Sequence, residues 1–204
     1  FERELAKARE RSAGSKIGEA AVDAIYRSVA AEVPAVEFLG YDSESAESKV
    51  VVILAGGKLV DKLAAGEQGQ IVTAHTPFYG ESGGQVGDAG EIRGGGGARF
   101  VVSDTQKPVG GLVVHMGQLV EGSIKRGDNV QLSVDVSKRS ATRRNHSATH
   151  LLHLALRQVV GPQATQKGSL VAPDRLRFDY TGSQPLTATQ IVEIERLVNE
   201  RILS

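Results

Sequence analysis

Lys49–Leu54 reads KVVVIL and is the first of five short Val-rich runs. The others are Gly69–Ala74 (GQIVTA), Ala98–Asp104 (ARFVVSD), Gly111–Leu119 (GLVVHMGQL) and Asn129–Val136 (NVQLSVDV). β-branched side chains favour extended backbone because they are stiff at χ1 and pack well on a pleated surface. Turn signals separate the runs: Gly56-Gly57, Gly94–Gly97, Gly110-Gly111 and Gly127-Asp128-Asn129. Several short strands at near-regular spacing predict a small antiparallel barrel or sandwich. Val120-Glu121-Gly122 and Lys125–Asp128 make the last two runs read as a barrel meander.

On the N-terminal side, FERELAKARERS and then KIGEAAVDAIYRSVAAEV read as helix, closed by Pro34. The first of these is mostly charged and has too little apolar face to fold alone, so it is expected to pack on, or link to, something upstream. The pattern changes again after Val136. Ser137–Asn145 (SKRSATRRN) is basic through Lys138, Arg139, Arg143 and Arg144. A helix follows, with Thr142 or Asn145 as candidate caps, and stops at Gly161-Pro162. Thr165–Val171 and Arg175–Tyr180 read as strands around Ala172-Pro173-Asp174. A capped helix from about Thr187 to Leu203 carries an apolar stripe of Ile191, Ile194, Leu197, Val198 and Ile202. The expectation is an α+β chain in three parts: a helical lead-in over 1–33, a small antiparallel β-barrel over 34–137, and the beginning of an α/β layer over 138–204. Two strands with two helices leave that last part thin and incomplete.

Composition narrows the classes. At 40% hydrophobic the 204 residues can bury a core, and with only 4% aromatics that core must be mostly Val, Leu, Ile and Ala. Lys+Arg and Asp+Glu both number 24, so no global field calls for nucleic acid and any such binding needs a local patch. No cysteine means no disulfide. The charged start Phe1-Glu2-Arg3-Glu4 lacks a signal-peptide core, and no apolar run approaches the roughly 20 residues of a membrane span. A cytoplasmic protein with no membrane partner is the expectation. The lack of an initiator Met suggests a piece of a longer chain.

Asn145–His153 (NHSATHLLH) carries the chemistry. His146 and His150 are one helical turn apart, so both imidazoles project from one face and can share a metal ion, with zinc the expected one. The alternative is a pair of satisfied polar side chains on an ordinary helix. A zinc protease does not fit, because Ser147 stands where H-E-x-x-H needs its Glu. His153 reads as helix packing beside Leu152 and Leu156. Thr76–Asp88 (TPFYGESGGQVGD) is the second segment, where Gly83-Gly84-Gln85 combines open backbone amides with an amide side chain. It is not a phosphate-binding P-loop, and a Gly-rich hairpin connection competes with a binding role. Gln166 of Gln166-Lys167-Gly168-Ser169 offers a donor and an acceptor for a water or carbonyl; the alternative is an exposed strand start. Arg177 and Asp179 fall on one strand face and are expected to pair with each other.

TPFYGESGGQVGD, RRNHSATHLLHLAL and QKGSLVAPDRLRFDY, in this order and spacing, strongly resemble the editing region of alanyl-tRNA synthetases. The resemblance covers most of residues 34–204. It implies hydrolysis of mischarged seryl- and glycyl-tRNA(Ala), with tRNA(Ala) and the remainder of the synthetase chain as partners. It also implies zinc held by His146 and His150 with a downstream C-x-x-x-H pair beyond residue 204. Gln166 matches a residue that positions substrate near the metal, and Thr149 is a weaker candidate for sensing a substrate hydroxyl. Arg143, Arg144, Gly83, Gly84 and Gln85 are the candidates for tRNA contact. Residues 138–204 are then the first part of the editing core, and the lead-in is the tail of a tRNA-recognition region. ATP binding would belong to the longer ligase. A noncatalytic tRNA-binding or folding fragment and a free-standing trans-editing protein stay open beside this reading.

Overall fold

A computed structural model describes residues 24–182 and 184–203. Most of the expected lead-in, residues 1–23, lies outside that range; residues 24–32 are helical (α1). The strands of the first region are β1 (Glu37–Phe38), β2 (Ser45–Ala55), β3 (Lys58–Leu59), β4 (Lys62–Ala64), β5 (Gln68–Thr73), β6 (His75–Thr76), β7 (Gly90–Gly94), β8 (Arg99–Gln106), β9 (Val114–Glu121), β10 (Ser123–Lys125) and β11 (Asn129–Val134). Helix α2 (Val136–Val159), strands β12 (Gln166–Val171) and β13 (Leu176–Tyr180), and helix α3 (Ala188–Leu203) follow. The chain is α+β.

Six antiparallel strands close into a barrel in the order β11-β7-β8-β9-β5-β2, with β2 returning to β11. The length of β2 makes closure possible. Its first half pairs with β11 (Ser45↔Ser133 to Lys49↔Asn129), and its second half pairs with β5 (Val52↔Val72, Leu54↔Gln70). A register shift between Val50 and Val52 lets one strand serve both neighbours. Alternation then sorts the side chains. Ile53, Ile71, Ile92, Phe100, Leu119, Ile124 and Leu132 point inward and are sealed from solvent. Val52, Leu54, Val72 and Val114 form an outer apolar patch covered by Tyr26 and Val29 of α1.

All five Val-rich runs are strands, with shifted ends. The run at Gly111–Leu119 becomes β9 from Val114, because Val109–Leu112 is a turn closed by Leu112 N–H on the Val109 carbonyl. β7 has only Ile92 as a large apolar residue and reads in sequence as part of the Gly cluster. In the fold Gly90 is needed for close approach: a Cβ there would meet the Ser133 carbonyl oxygen at 2.2 Å.

The described residues divide into two compact units, those up to residue 80 with 89–134, and 81–88 with those from 135 onward. Glu81–Asp88 therefore belongs with the helices although the flanking residues are barrel. The core of the second unit is small: Ala155, Leu156, Ala164 and Ile194, with Leu152, Phe178, Leu197 and Val198 packed around them. No helix among the described residues is long and apolar enough to cross a membrane.

Candidate metal and nucleic-acid site

α2 begins at Val136, earlier than the candidate caps Thr142 and Asn145. Asp135 is the cap: its carboxylate accepts from Lys138 N–H at 3.0 Å, as an N-cap Asp does for an orphan amide. The basic stretch that the sequence places ahead of the helix thus forms its first turns. Thr142 donates to the Lys138 carbonyl inside the helix. Asn145 reaches out instead, donating to the Ala172 carbonyl at 2.7 Å and so tying α2 to the β12–β13 turn.

The four basic side chains divide. Arg139 is buried, and its Nε and Nη2 both donate to Asp88 Oδ2. The two form a buried structural ion pair, so Arg139 does not face solvent with the other basic side chains. Lys138 lies 3.9 Å from Asp135 at the exposed N-terminus. Arg143 and Arg144 are exposed, with no ion-pair partner among the described residues.

His146 and His150 are both exposed, with ring centroids 5.1 Å apart and planes inclined by 45°. His146 Nδ1 faces Gln85 Oε1 at 2.7 Å. The Ser82–Gln85 turn is closed by reciprocal backbone bonds between Ser82 and Gln85, at 3.2 and 3.0 Å. Gly83 (φ 60°) and Gly84 (φ 84°) occupy the left-handed region that L side chains avoid. The segment then runs alongside β12, with Val171 N–H on the Gly84 carbonyl and Val86 N–H on the Val171 carbonyl. Gly84 rests against Ser169, where a Cβ would come within 2.5 Å of the carbonyl oxygen.

Gln166 is exposed at the start of β12, and its amide donates to Ser169 Oγ at 3.0 Å. It reaches the histidine helix indirectly, through Ser169 and the turn carrying Gln85. Thr149 is buried, and its hydroxyl donates to the Asn145 carbonyl at 2.8 Å. His153 points away from any ligand role: its Nε2 meets the Ala164 carbonyl at 3.2 Å and its ring packs 5.0 Å from Phe178. Arg177 pairs with Asp179 within β13.

The donor set suits half of a tetrahedral zinc site: two imidazoles one turn apart, one of them oriented by an amide. No group of three or more His, Cys, Asp or Glu that could hold an ion occurs among the described residues. Contacts that the sequence does not signal are Gln85–His146 and Asp88–Arg139, 61 and 51 residues apart, and a buried hydrogen-bonded chain in the barrel. There His115 Nδ1 meets the Ile71 carbonyl at 2.8 Å, so that nitrogen carries the proton. Its Nε2 accepts from Thr76 Oγ1 at 2.8 Å, and that oxygen accepts from Phe78 N–H at 3.0 Å. Burial pushes the His115 pKa down to about 4, partly opposed by the bond to Ile71.

The sequence profile of the tRNA synthetases class II (A) family matches residues 1–138, more than half of the 204. The chain belongs to that family. The histidine helix lies beyond the matched span, but similarity to individual proteins runs through it. The chain is 52% identical to an alanine–tRNA ligase of Parvibaculum lavamentivorans over 204 residues, covering 99% of this chain and 23% of the relative. It is 53% identical to an alanine–tRNA ligase of Rhodopseudomonas palustris over 203 residues, covering 100% and 22%. For that of Anaeromyxobacter dehalogenans the identity is 48% over 202 residues, covering 99% and 22%. The chain thus spans a little over a fifth of the length of the curated relatives it matches.

Proposed function

We propose that this chain is the editing region of an alanine–tRNA ligase and that, within the longer protein, it hydrolyses seryl- and glycyl-tRNA(Ala). The observation that carries the reading is the meeting of Gln85, from the Gly-Gly-Gln turn, with His146 of the His-x-x-x-His helix. Two segments of the family resemblance, far apart in sequence, converge on one exposed point. The need for such a site is physical. A pocket sized for alanine cannot exclude glycine by sterics and rejects serine poorly, since a methylene or hydroxyl is worth only about 1–3 kcal/mol.

In this reading His146 and His150 hold zinc together with ligands from the remainder of the longer protein. When bound, zinc polarises a carbonyl or lowers the pKa of a water. The residues of this chain do the positioning. Gln166 donates to Ser169 and keeps its carbonyl oxygen for ordering the water, or presents its amide to the ester. Thr149, its proton committed to Asn145, retains lone pairs toward a substrate hydroxyl. Arg143 and Arg144 meet phosphates of the acceptor end, with Gly83, Gly84 and Gln85 as neighbouring RNA contacts. Those phosphate contacts supply affinity and salt dependence, not sequence choice.

The test is deacylation of seryl-tRNA(Ala) by the full-length enzyme. His150→Ala is expected to lose zinc and deacylation together, and Gln166→His to impair deacylation. The 204-residue chain alone is expected to deacylate poorly. Robust deacylation after exhaustive chelation overturns the metal-dependent reading. Neutralising Arg143 and Arg144 should weaken tRNA binding more at low salt than at high; affinity unchanged across salt removes the phosphate contact.

A further inference from the structure

We infer that Gln85 is a positioning residue that fixes His146 in its Nδ1–H tautomer and leaves Nε2 as the bare nitrogen. A neutral imidazole carries one proton, and the partner of one nitrogen decides which nitrogen holds it. Gln85 Oε1 is an acceptor only, so at 2.7 Å it requires the proton on His146 Nδ1. Nε2, across the ring, then keeps its lone pair. Metal-ligating histidines are oriented in this way by an acceptor on their second nitrogen. The use of that lone pair for zinc rests on the proposed editing site; the tautomer itself does not.

The amide of Gln85 can do this because its backbone is held on every side. The Ser82–Gln85 turn is closed by two backbone bonds through two left-handed glycines. Val86 N–H and the Gly84 carbonyl are both bonded to Val171 of β12. Three residues further on, Asp88 is clamped by Arg139, one helical turn after the start of the same α2 that carries His146. The turn is therefore referenced both to the helix and to the strand that starts with Gln166. Gly84 admits no side chain, since a Cβ would meet Ser169 O at 2.5 Å. Selecting the tautomer thus gives the Gly-Gly-Gln sequence a role for each residue: two glycines shape the turn and the glutamine presents the acceptor.

The experiment is nitrogen NMR of the ring of His146 in the metal-free 204-residue chain, at a pH well above the ordinary imidazole pKa of about 6.5. Wild type, Gln85→Glu and Gln85→Leu are compared. All three keep the backbone bonds of the turn, and only the leucine loses the acceptor. His146 is expected to be mainly Nδ1–H in wild type and in Gln85→Glu. In Gln85→Leu the tautomer ratio should shift roughly fivefold toward Nε2–H, the size that one net hydrogen bond allows. An Nε2–H tautomer in wild type overturns the inference, as does a ratio equal in wild type and Gln85→Leu. Zinc chloride titrated into the metal-stripped full-length enzyme and its Gln85→Leu variant, where the remaining ligands of the proposed site are present, separates the two readings. With the expected tautomers, ring shifts of His146 and His150 on adding zinc, weakened about tenfold or more in Gln85→Leu, support both. The expected tautomers with no response to zinc leave the role of Gln85 standing and sink the metal site.

Discussion

The barrel and the helix–hairpin unit are built on opposite principles. In the barrel every principal strand has a neighbour on both sides, and 14 side chains form one sealed apolar cluster. In the second unit four residues make the buried cluster, the sheet has two strands, and Val192, Ile202 and Leu203 of α3 stay largely exposed. Its architecture leans on specific polar contacts instead: Asp88–Arg139, Asn145 on Ala172, and the Ser82–Gln85 turn on Val171. An apolar core tolerates many compositions of the right volume, whereas a polar contact demands particular partners. The region with the candidate chemistry is the one whose shape depends on individual residues.

That contrast can be broken most sharply in the barrel core. Phe100→Ala removes a ring with no exposure and should cost about 3–5 kcal/mol, read as a fall in the denaturant midpoint of the barrel's strand signal. A cost below about 1 kcal/mol would mean that the barrel collapses around the gap and is not tightly packed. Arg139→Ala leaves Asp88 buried without its cation and should cost about 3 kcal/mol or more in the second unit alone. Hydrogen exchange should then quicken at the amides of Val86 and Val171 while the amides of β8 and β9 keep their protection. Equal loosening of both units would erase the distinction drawn between them.

Acid sharpens it from the other side. His115 has a folded pKa of about 4 against about 6.5 unfolded, so below neutrality the unfolded chain binds the extra proton. Barrel stability is therefore full above about pH 6.5 and declines as the pH falls toward about 4, by up to about 3 kcal/mol. His115→Gln should flatten that dependence in pH-dependent unfolding; an unchanged slope would assign it to the carboxylates. The smallest effect is expected at α3. Thr187 accepts from Gln190 N–H at 3.3 Å and Gln190 Oε1 accepts from Thr187 N–H at 2.9 Å, a reciprocal capping box. Thr187→Ala should cost about 1 kcal/mol and show as faster exchange in the first turn of α3 only.

Much of this molecule is written locally. Val-rich runs between Gly turns specify strands, and Gly161-Pro162 and Thr187 mark helix ends, because backbone preference and alternation act over a few residues. The His146–His150 face is legible for the same reason, being one turn of one helix. β7 was hidden because its strand character comes from neighbours that approach Gly90, not from its own side chains. The start of α2 was hidden because a basic run with polar residues resembles a linker until Asp135 is seen capping it. Barrel closure required β2 to serve two partners, and no local pattern announces a strand's second neighbour. The remaining decisions belong to tertiary structure alone. Arg139 and Arg143 are the same residue type four positions apart on one helix, yet one is locked to Asp88 and the other is exposed to solvent. Gln85 and His146 meet across 61 residues because the turn, β12 and α2 pack together, and only that packing determines which imidazole nitrogen carries the proton.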